Sequence, residues 1–478
     1  MGKKSIKKNY FYNLLYQILV LIMPLVTTPY ISNVLGSNGV GIYSYTLSIT
    51  TYFILFGSLG ISMYGQREIA YVQNDKKEKT KIFWEIIILR LITMSISLLF
   101  FYIFYIFKNS ECQIYYKILV LEFVLNILDI SWFFQGMEEF KKTVIRNFIV
   151  KILSVILIFT VVKNNNDLIK YFIIYVGSGL LGNLSLWGYI PRYIEKINFK
   201  KLNITRHIKP TLALFIPQIA IQIYTLLDKV MIGKILNDMS EVGIYEQSQK
   251  IIKMPLTVIT ALGTVVSPRI ASIISENKKN EVNSYLEKSF QFVWFMGIPM
   301  MFGIMAISSH LIPWFLGNDF EKAIQVVIIG APIIMAIGLN NVTGIQYLIS
   351  AKKQNIFTKS VVAGAIFNFV LNLIIIPKLK SVGAIMSSLL AETLILIIQI
   401  MYLKKEIPLR SIFSGAMKYI LSGIIMFLVI LCISQFMEIS IISTGIEIIV
   451  GCLVYFSMLL FFKDKMLFDL LKKIKIRR

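Results

Sequence analysis

Along most of the 478-residue chain, apolar positions run neither in the alternation of a strand nor in the one-sided stripe of a helix on a soluble core. Stretches such as Ile86 to Phe107 and Ile152 to Val162 are almost wholly apolar over helical lengths. A helix that is hydrophobic on every face belongs in lipid or among other such helices, and about 20 residues of it cross a bilayer. Strands of a membrane barrel would alternate instead. The pattern therefore predicts an all-α integral membrane protein. Apolar runs between charge clusters predict fourteen transmembrane helices, centred near residues 22, 52, 95, 125, 153, 179, 223, 256, 298, 335, 367, 393, 426 and 451.

Composition agrees: 56% of residues are hydrophobic and 16% charged, which excludes a soluble globular protein. The net charge is +23, an excess that in a soluble chain would point to nucleic acid. Its distribution points to topology. About 35 of the Lys and Arg residues fall in the N-terminal tail, residues 64–83, 136–147, 191–210, 269–288, 350–359 and 404–418, and the C-terminal tail, against about 7 in the intervening loops. That alternation places both termini in the cytoplasm, and no nucleic acid is expected as partner. Lys3, Lys4, Lys7 and Lys8 precede an apolar stretch too long for a signal peptide and without a small-residue cleavage site, so a retained first helix is expected. Cys112, Cys432 and Cys452 have no disulfide or metal spacing, and no cofactor is expected.

Val40-Gly41-Ile42-Tyr43 opens the second predicted helix, and the same four residues, Val242 to Tyr245, open the eighth. Gln135 and Gln346 both lie at a helix end ahead of a Lys-Lys pair and a new helix. These matches predict two parallel six-helix repeats, residues 1–200 and 201–405, enclosing a central cavity, with residues 406–478 adding two helices and a basic tail. The tail from Lys463 to Arg478 is read either as an amphipathic helix on the anionic leaflet or as a topology anchor.

Ionisable side chains are costly at bilayer depth, so their positions carry information. Gln218, Gln222, Thr225 and Lys229 share one face of the seventh helix beside Asp228, while Glu246, Gln249, Lys250, Lys253 and Thr257 stripe the eighth. Lys229, Lys250 and Lys253 are expected at similar depth in the outer half of the membrane, as a site for a phosphate-like anion. The alternative is that these lysines extend to the headgroups as anchors. Arg90 is expected to pair with a carboxylate of the fourth helix, where Glu122, Asn126 and Asp129 form one face. Glu122 and Asp129 serve either as structural partners or as a proton or sodium site, and Glu392 and Glu447 stand as lone carboxyls. His207 and His310 read as isolated loop residues, and no Asp-x-Asp is present, so an enzyme is not expected.

Pro24-x-x-Thr27-Thr28-Pro29-Tyr30, Val34-Leu35-Gly36, Leu59-Gly60-Ile61 and Tyr64-Gly65-Gln66-Arg67-Glu68-Ile69-Ala70 resemble the N-terminal signature of Wzx-type polysaccharide repeat-unit flippases. Asp228-Lys229-Val230-Met231-Ile232-Gly233 resembles a second stretch of that family. The resemblance implies membership of the multidrug/oligosaccharidyl-lipid/polysaccharide exporter superfamily. It also implies alternating-access movement of an undecaprenyl-pyrophosphate-linked oligosaccharide to the outer leaflet of the bacterial cytoplasmic membrane. Carried over, Arg67, Lys229, Lys250 and Lys253 would hold the pyrophosphate, with Arg90 as the first repeat's buried cation in place of positions in the first helix. Asn13, Gln17, Gln218, Gln222, Thr225 and Thr257 would face the sugars. Glu122, Asp129, Asp228 and Glu392 would couple transport to H+ or Na+. A polysaccharide polymerase and glycosyltransferases are the implied pathway partners. A flippase for the peptidoglycan precursor fits the span count and charge equally well. A multidrug or cation antiporter of the same superfamily is opposed by the positive cluster and by the two helices beyond twelve.

Overall fold

The computed structural model describes the backbone of residues 6–476 except 108–111, 197–198, 200–201, 277, 405, 407, 409–411 and 414. Side chains are described outside residues 6–21, 216–221, 223–224, 264–265, 470 and 473–476. Among the described residues the chain is helical and without strands. It divides into two compact units, Met1–Val230 and Met231–Arg478. The first holds α1 (Ile6–Ser58), α2 (Ile61–Tyr71), α3 (Lys76–Phe101), α4 (Gln113–Leu128), α5 (Ser131–Gly136), α6 (Phe140–Val161), α7 (Leu168–Trp187) and most of α8 (Ile208–Leu236). The second holds α9 (Met239–Ser275), α10 (Lys279–Leu316), α11 (Ala323–Gly330), α12 (Ile333–Asn340), α13 (Gln354–Leu403), α14 (Ala416–Ser434), α15 (Ile441–Phe461) and α16 (Lys465–Ile476).

Eleven segments among the described residues are long and apolar enough to cross a membrane. Two of them, in α1 and α13, are each a pair of helices joined at one non-helical residue. With α8 these helices account for all fourteen apolar centres. In α1 the break is Gly36, at φ 66° and ψ 178°, a conformation that a side chain would strain. In α13 the break is Lys380, three residues after Pro377, whose ring removes a backbone donor. The helix restarts at Ser381, whose N–H and hydroxyl both donate to Glu241 Oε2, at 3.3 and 2.6 Å. Lys322 and Lys380 pair with Glu241 Oε1 at 3.0 and 3.8 Å. A buried carboxylate from α9 thus accepts from one of the backbone donors that the break leaves without a helical partner.

In the first unit α1 packs against α3, α4 and α6, and α4 against α7. The short helices α2 and α5 meet over a buried cluster that includes Ile61, Phe83, Trp132, Phe133 and Phe134. Their approach depends on glycine, because a Cβ on Gly65 would lie 2.5 Å from Trp132 Cε3. A Gly65→Ala variant is expected to lose about 1–3 kcal/mol through overpacking, measured as a lower melting temperature in detergent. An unchanged melting temperature would mean that the indole ring moves aside at no cost.

In the second unit α10 packs against α14 and α15, and α9 against α10, α11 and α12. The basic tail forms the helix α16, anchored by the fully buried Asp464. This carboxylate accepts from Leu467 N and the Tyr419 hydroxyl, both at 2.9 Å, and pairs with Lys418. Burial alone would raise its pKa, but Lys418, the Leu467 N–H and Tyr419 outweigh it and hold the carboxyl below its ordinary value. A depressed folded-state pKa stabilises above the unfolded value of about 3.9, and that contribution disappears as pH falls through the folded value. The protection of residues 465–476 against hydrogen exchange, taken relative to the unfolded chain at the same pH, is therefore expected to hold above about pH 4 and to fall below it. Asp464→Asn should remove that pH dependence, and an identical acid profile in the variant would refute the assignment.

Candidate functional site

The signature segment around Tyr64 lies on α2 and joins a buried polar network. Tyr64 OH lies 2.7 Å from His207 Nδ1, and His207 Nε2 lies 2.8 Å from Glu85 Oε2. In the neutral tautomer the tyrosine hydroxyl donates to Nδ1 and Nε2–H donates to the carboxylate. Glu85, on α3, is fully buried and also accepts from Asn203 N at 2.6 Å and from Arg206 Nη2 at 2.6 Å. Arg206 reaches Glu78 at 3.0 Å as well. Burial opposes the guanidinium's charge, but Glu78 and Glu85 together raise its pKa. The segment leading into α8 is thereby pinned to α2 and α3. His207 is not the isolated loop residue expected from sequence: two sequence-distant helices, α2 through Tyr64 and α3 through Glu85, close on it.

Arg67, two turns from Gly60 on α2, is exposed, pairs with Glu68 at 3.1 Å and lies over the Tyr64 ring. Arg90 is buried in α3, but its hydrogen bonds do not go to a carboxylate. It donates to the Asp129 backbone carbonyl at 2.6 Å and to Ser62 Oγ at 2.9 Å. The reason is that α4 ends before Asp129, which has extended backbone angles and turns its carboxylate to the N–H of Ser131 at the start of α5. The arginine therefore binds the carbonyl exposed by a helix end. Glu122 is buried in α4 within electrostatic reach of Tyr43 and Tyr175, whose rings meet edge to face.

On α8, Asp228 is buried and Lys229 half-buried, while Gln222 and Thr225 are exposed. On α9, Lys250 pairs with Glu246 one turn away at 3.3 Å, and Lys253 and Thr257 are exposed. Lys229 belongs to the first unit, Lys250 and Lys253 to the second. Asn13, Gln17 and Gln218 carry side chains outside the described residues. Glu392 accepts from Asn340 Nδ2 at 2.8 Å.

The second unit also contains a buried polar chain. Gln249 donates to Tyr245 OH at 2.6 Å, Tyr245 OH lies 3.5 Å from Ser388 Oγ, Asn368 donates to Ser388 at 3.4 Å, and Asn372 donates to Asn368 Oδ1 at 3.2 Å. Both Val-Gly-Ile-Tyr segments thus place their tyrosine among buried polar or aromatic groups. His310 and Glu447 form a buried pair between α10 and α15 at 2.7 Å, so Glu447 is not a lone carboxyl and His310 is not in a loop.

Residues 6–274 match the family model described as polysaccharide biosynthesis protein. The chain belongs to that family. Residues 213–374 also match the MatE model. It is 23% identical over 410 residues to a putative O-antigen transporter of Escherichia coli (strain K12), covering 85% of this chain and 98% of the relative. It is 24% identical over 243 residues to a probable low-salt glycan biosynthesis flippase, Agl15, of Haloferax volcanii, about half of each chain. Among solved structures, the lipid II flippase MurJ in an inward closed conformation superposes with a TM-score of 0.72 at 18% identity, covering 96% of this chain and all of that one. An inward-facing multidrug resistance MATE transporter of the MOP superfamily gives 0.62 at 11% identity, over 90% and 96% of the two chains. The chain therefore has the fold of these two structures.

Proposed function

We propose that the chain is a flippase, not an enzyme, that carries an undecaprenyl-pyrophosphate-linked oligosaccharide from the inner to the outer leaflet of a bacterial cytoplasmic membrane. The observation that carries this reading is the alignment with the putative O-antigen transporter along 98% of that protein's length. The chemistry supports it. A diphosphate leaving water needs fixed cations in place of its solvation; Lys229 and the exposed Arg67 in the first unit, and separately Lys250 and Lys253 in the second, are the candidates to supply them. Exposed Gln222, Thr225 and Thr257 offer hydrogen bonds suited to sugar hydroxyls. Buried Glu122 and Asp228, with half-buried Glu392 and Asp129, are the candidates for H+ or Na+ coupling by alternating access. Glycosyltransferases would supply the substrate and a polymerase would consume it.

The fold likeness to MurJ favours a second reading, transport of the peptidoglycan precursor. Complementation separates the two. The full-length gene is expressed in one strain lacking its O-antigen flippase and in another depleted of its lipid II flippase. Restored surface O-antigen with no rescue of growth supports the proposal. Rescue of growth alone, or of neither strain despite membrane expression, overturns it.

A further inference from the structure

Within the first unit, α6 and α7 frame a groove of about 790 Å³ that the flippase reading does not use. It exists because the two helices touch at Gly182, where a Cβ would lie 2.7 Å from Val150 Cγ2 and 3.2 Å from Arg146 Cδ. Four cations converge on one end: Lys141, Lys142, Arg146 and Arg192. Two of them are held in place. Lys142 sits 4.3 Å from the Tyr193 ring centre and 5.0 Å from that of Tyr189. Arg146 is braced by Asn183 and by Ser131, at 2.6 Å from the latter. Lys141 and Arg192 are exposed at the rim. Glu139 pairs with Lys142 at 3.8 Å, leaving the end of the groove positive. The wall leading away from the cations is apolar and outward-facing, with Ile149 59% and Leu181 63% exposed.

We propose that this groove binds an anionic diacyl phospholipid, its phosphate among the four cations and its acyl chains along Ile145, Ile149, Leu153 and Leu181. Cations at one end and exposed aliphatic side chains at the other match the two ends of such a lipid, and neither a free anion nor a neutral lipid uses both. The helix ends that carry the cations belong to residues 136–147 and 191–210, the basic segments that charge bias predicts to face the cytoplasm, where anionic lipid is concentrated. A plain topology signal requires the charges but not their convergence beside an apolar wall.

The test uses the full-length protein in detergent, with bound lipid counted by native mass spectrometry during titration with dioleoyl phosphatidylglycerol or dioleoyl phosphatidylcholine. Phosphatidylglycerol should bind more tightly, and Lys141→Gln with Arg192→Gln should weaken it about 30-fold while leaving phosphatidylcholine unchanged. Leu181→Ser should also weaken phosphatidylglycerol binding. Glycerol 3-phosphate and undecaprenyl phosphate are added as competitors. Equal binding of the two phospholipids, or no effect of the double substitution, overturns the proposal. Competition by glycerol 3-phosphate at equal concentration would make the groove a free-phosphate site, and tighter binding of undecaprenyl phosphate would make it a carrier-lipid site. Either result also overturns it.

Discussion

Glu85→Ala is expected to lower the stability of the first unit by about 3 kcal/mol, the low end of the range for breaking a buried ion pair. Glu85 has no exposed surface, and three groups from the segment before α8 converge on it: Asn203 N–H, Arg206 and His207. Removing the carboxylate leaves the His207 ring and the Asn203 N–H short of an acceptor. Arg206 is one-third exposed and regains water, which keeps the loss from being larger. Glu85→Gln keeps an acceptor oxygen and should lose less. Melting in detergent and the yield of folded protein are the measurements, and an alanine variant as stable as the parent would show that the network contributes nothing. Tyr64→Phe gives a second reading, with about 1 kcal/mol lost for its single hydrogen bond to His207.

Lys229→Ala is expected to lower the rate of glycan translocation about 10–100-fold, the loss that follows from one charge-assisted hydrogen bond to a phosphate at about 1.5–3 kcal/mol. Lys229 is half-buried on α8, next in sequence to the buried Asp228. Lys229→Arg retains the charge and should keep most of the activity. Translocation by purified protein in liposomes, read as the outer-leaflet fraction of a labelled lipid-linked glycan, gives the number. Wild-type rates in the alanine variant, at equal protein content, would remove Lys229 from the site.

The helix count was legible because lipid demands a long apolar run for every crossing, and such runs are local in sequence. The breaks in α1 and α13 fall between apolar centres for the same reason, although hydropathy does not mark Gly36 or Lys380 as the residue at which the helix breaks. Pairings were less legible. Arg90 was expected to find a carboxylate, since Glu122 and Asp129 lie on the neighbouring span. It binds a carbonyl instead, because α4 ends one residue early and exposes it. His207 and His310 looked isolated because their partners, Glu85 and Glu447, lie more than a hundred residues away. Glu241 gave no signal that it would hold Ser381, since the need for it arises only where α13 breaks.

Hydropathy and the placement of Lys and Arg along the chain were enough to establish a helical membrane protein and the number of its spans, because transfer of each segment into lipid depends on that segment's own residues. The short signature around Tyr64 and the stretch from Asp228 to Gly233 were enough to point to the family. Which buried polar groups meet was decided by tertiary structure alone: the Glu85 network, the cap of Glu241, the His310–Glu447 pair and the basic groove between α6 and α7. A hydrogen bond or ion pair depends on distances of a few ångströms between residues far apart in sequence, and only the packing of the helices sets those distances.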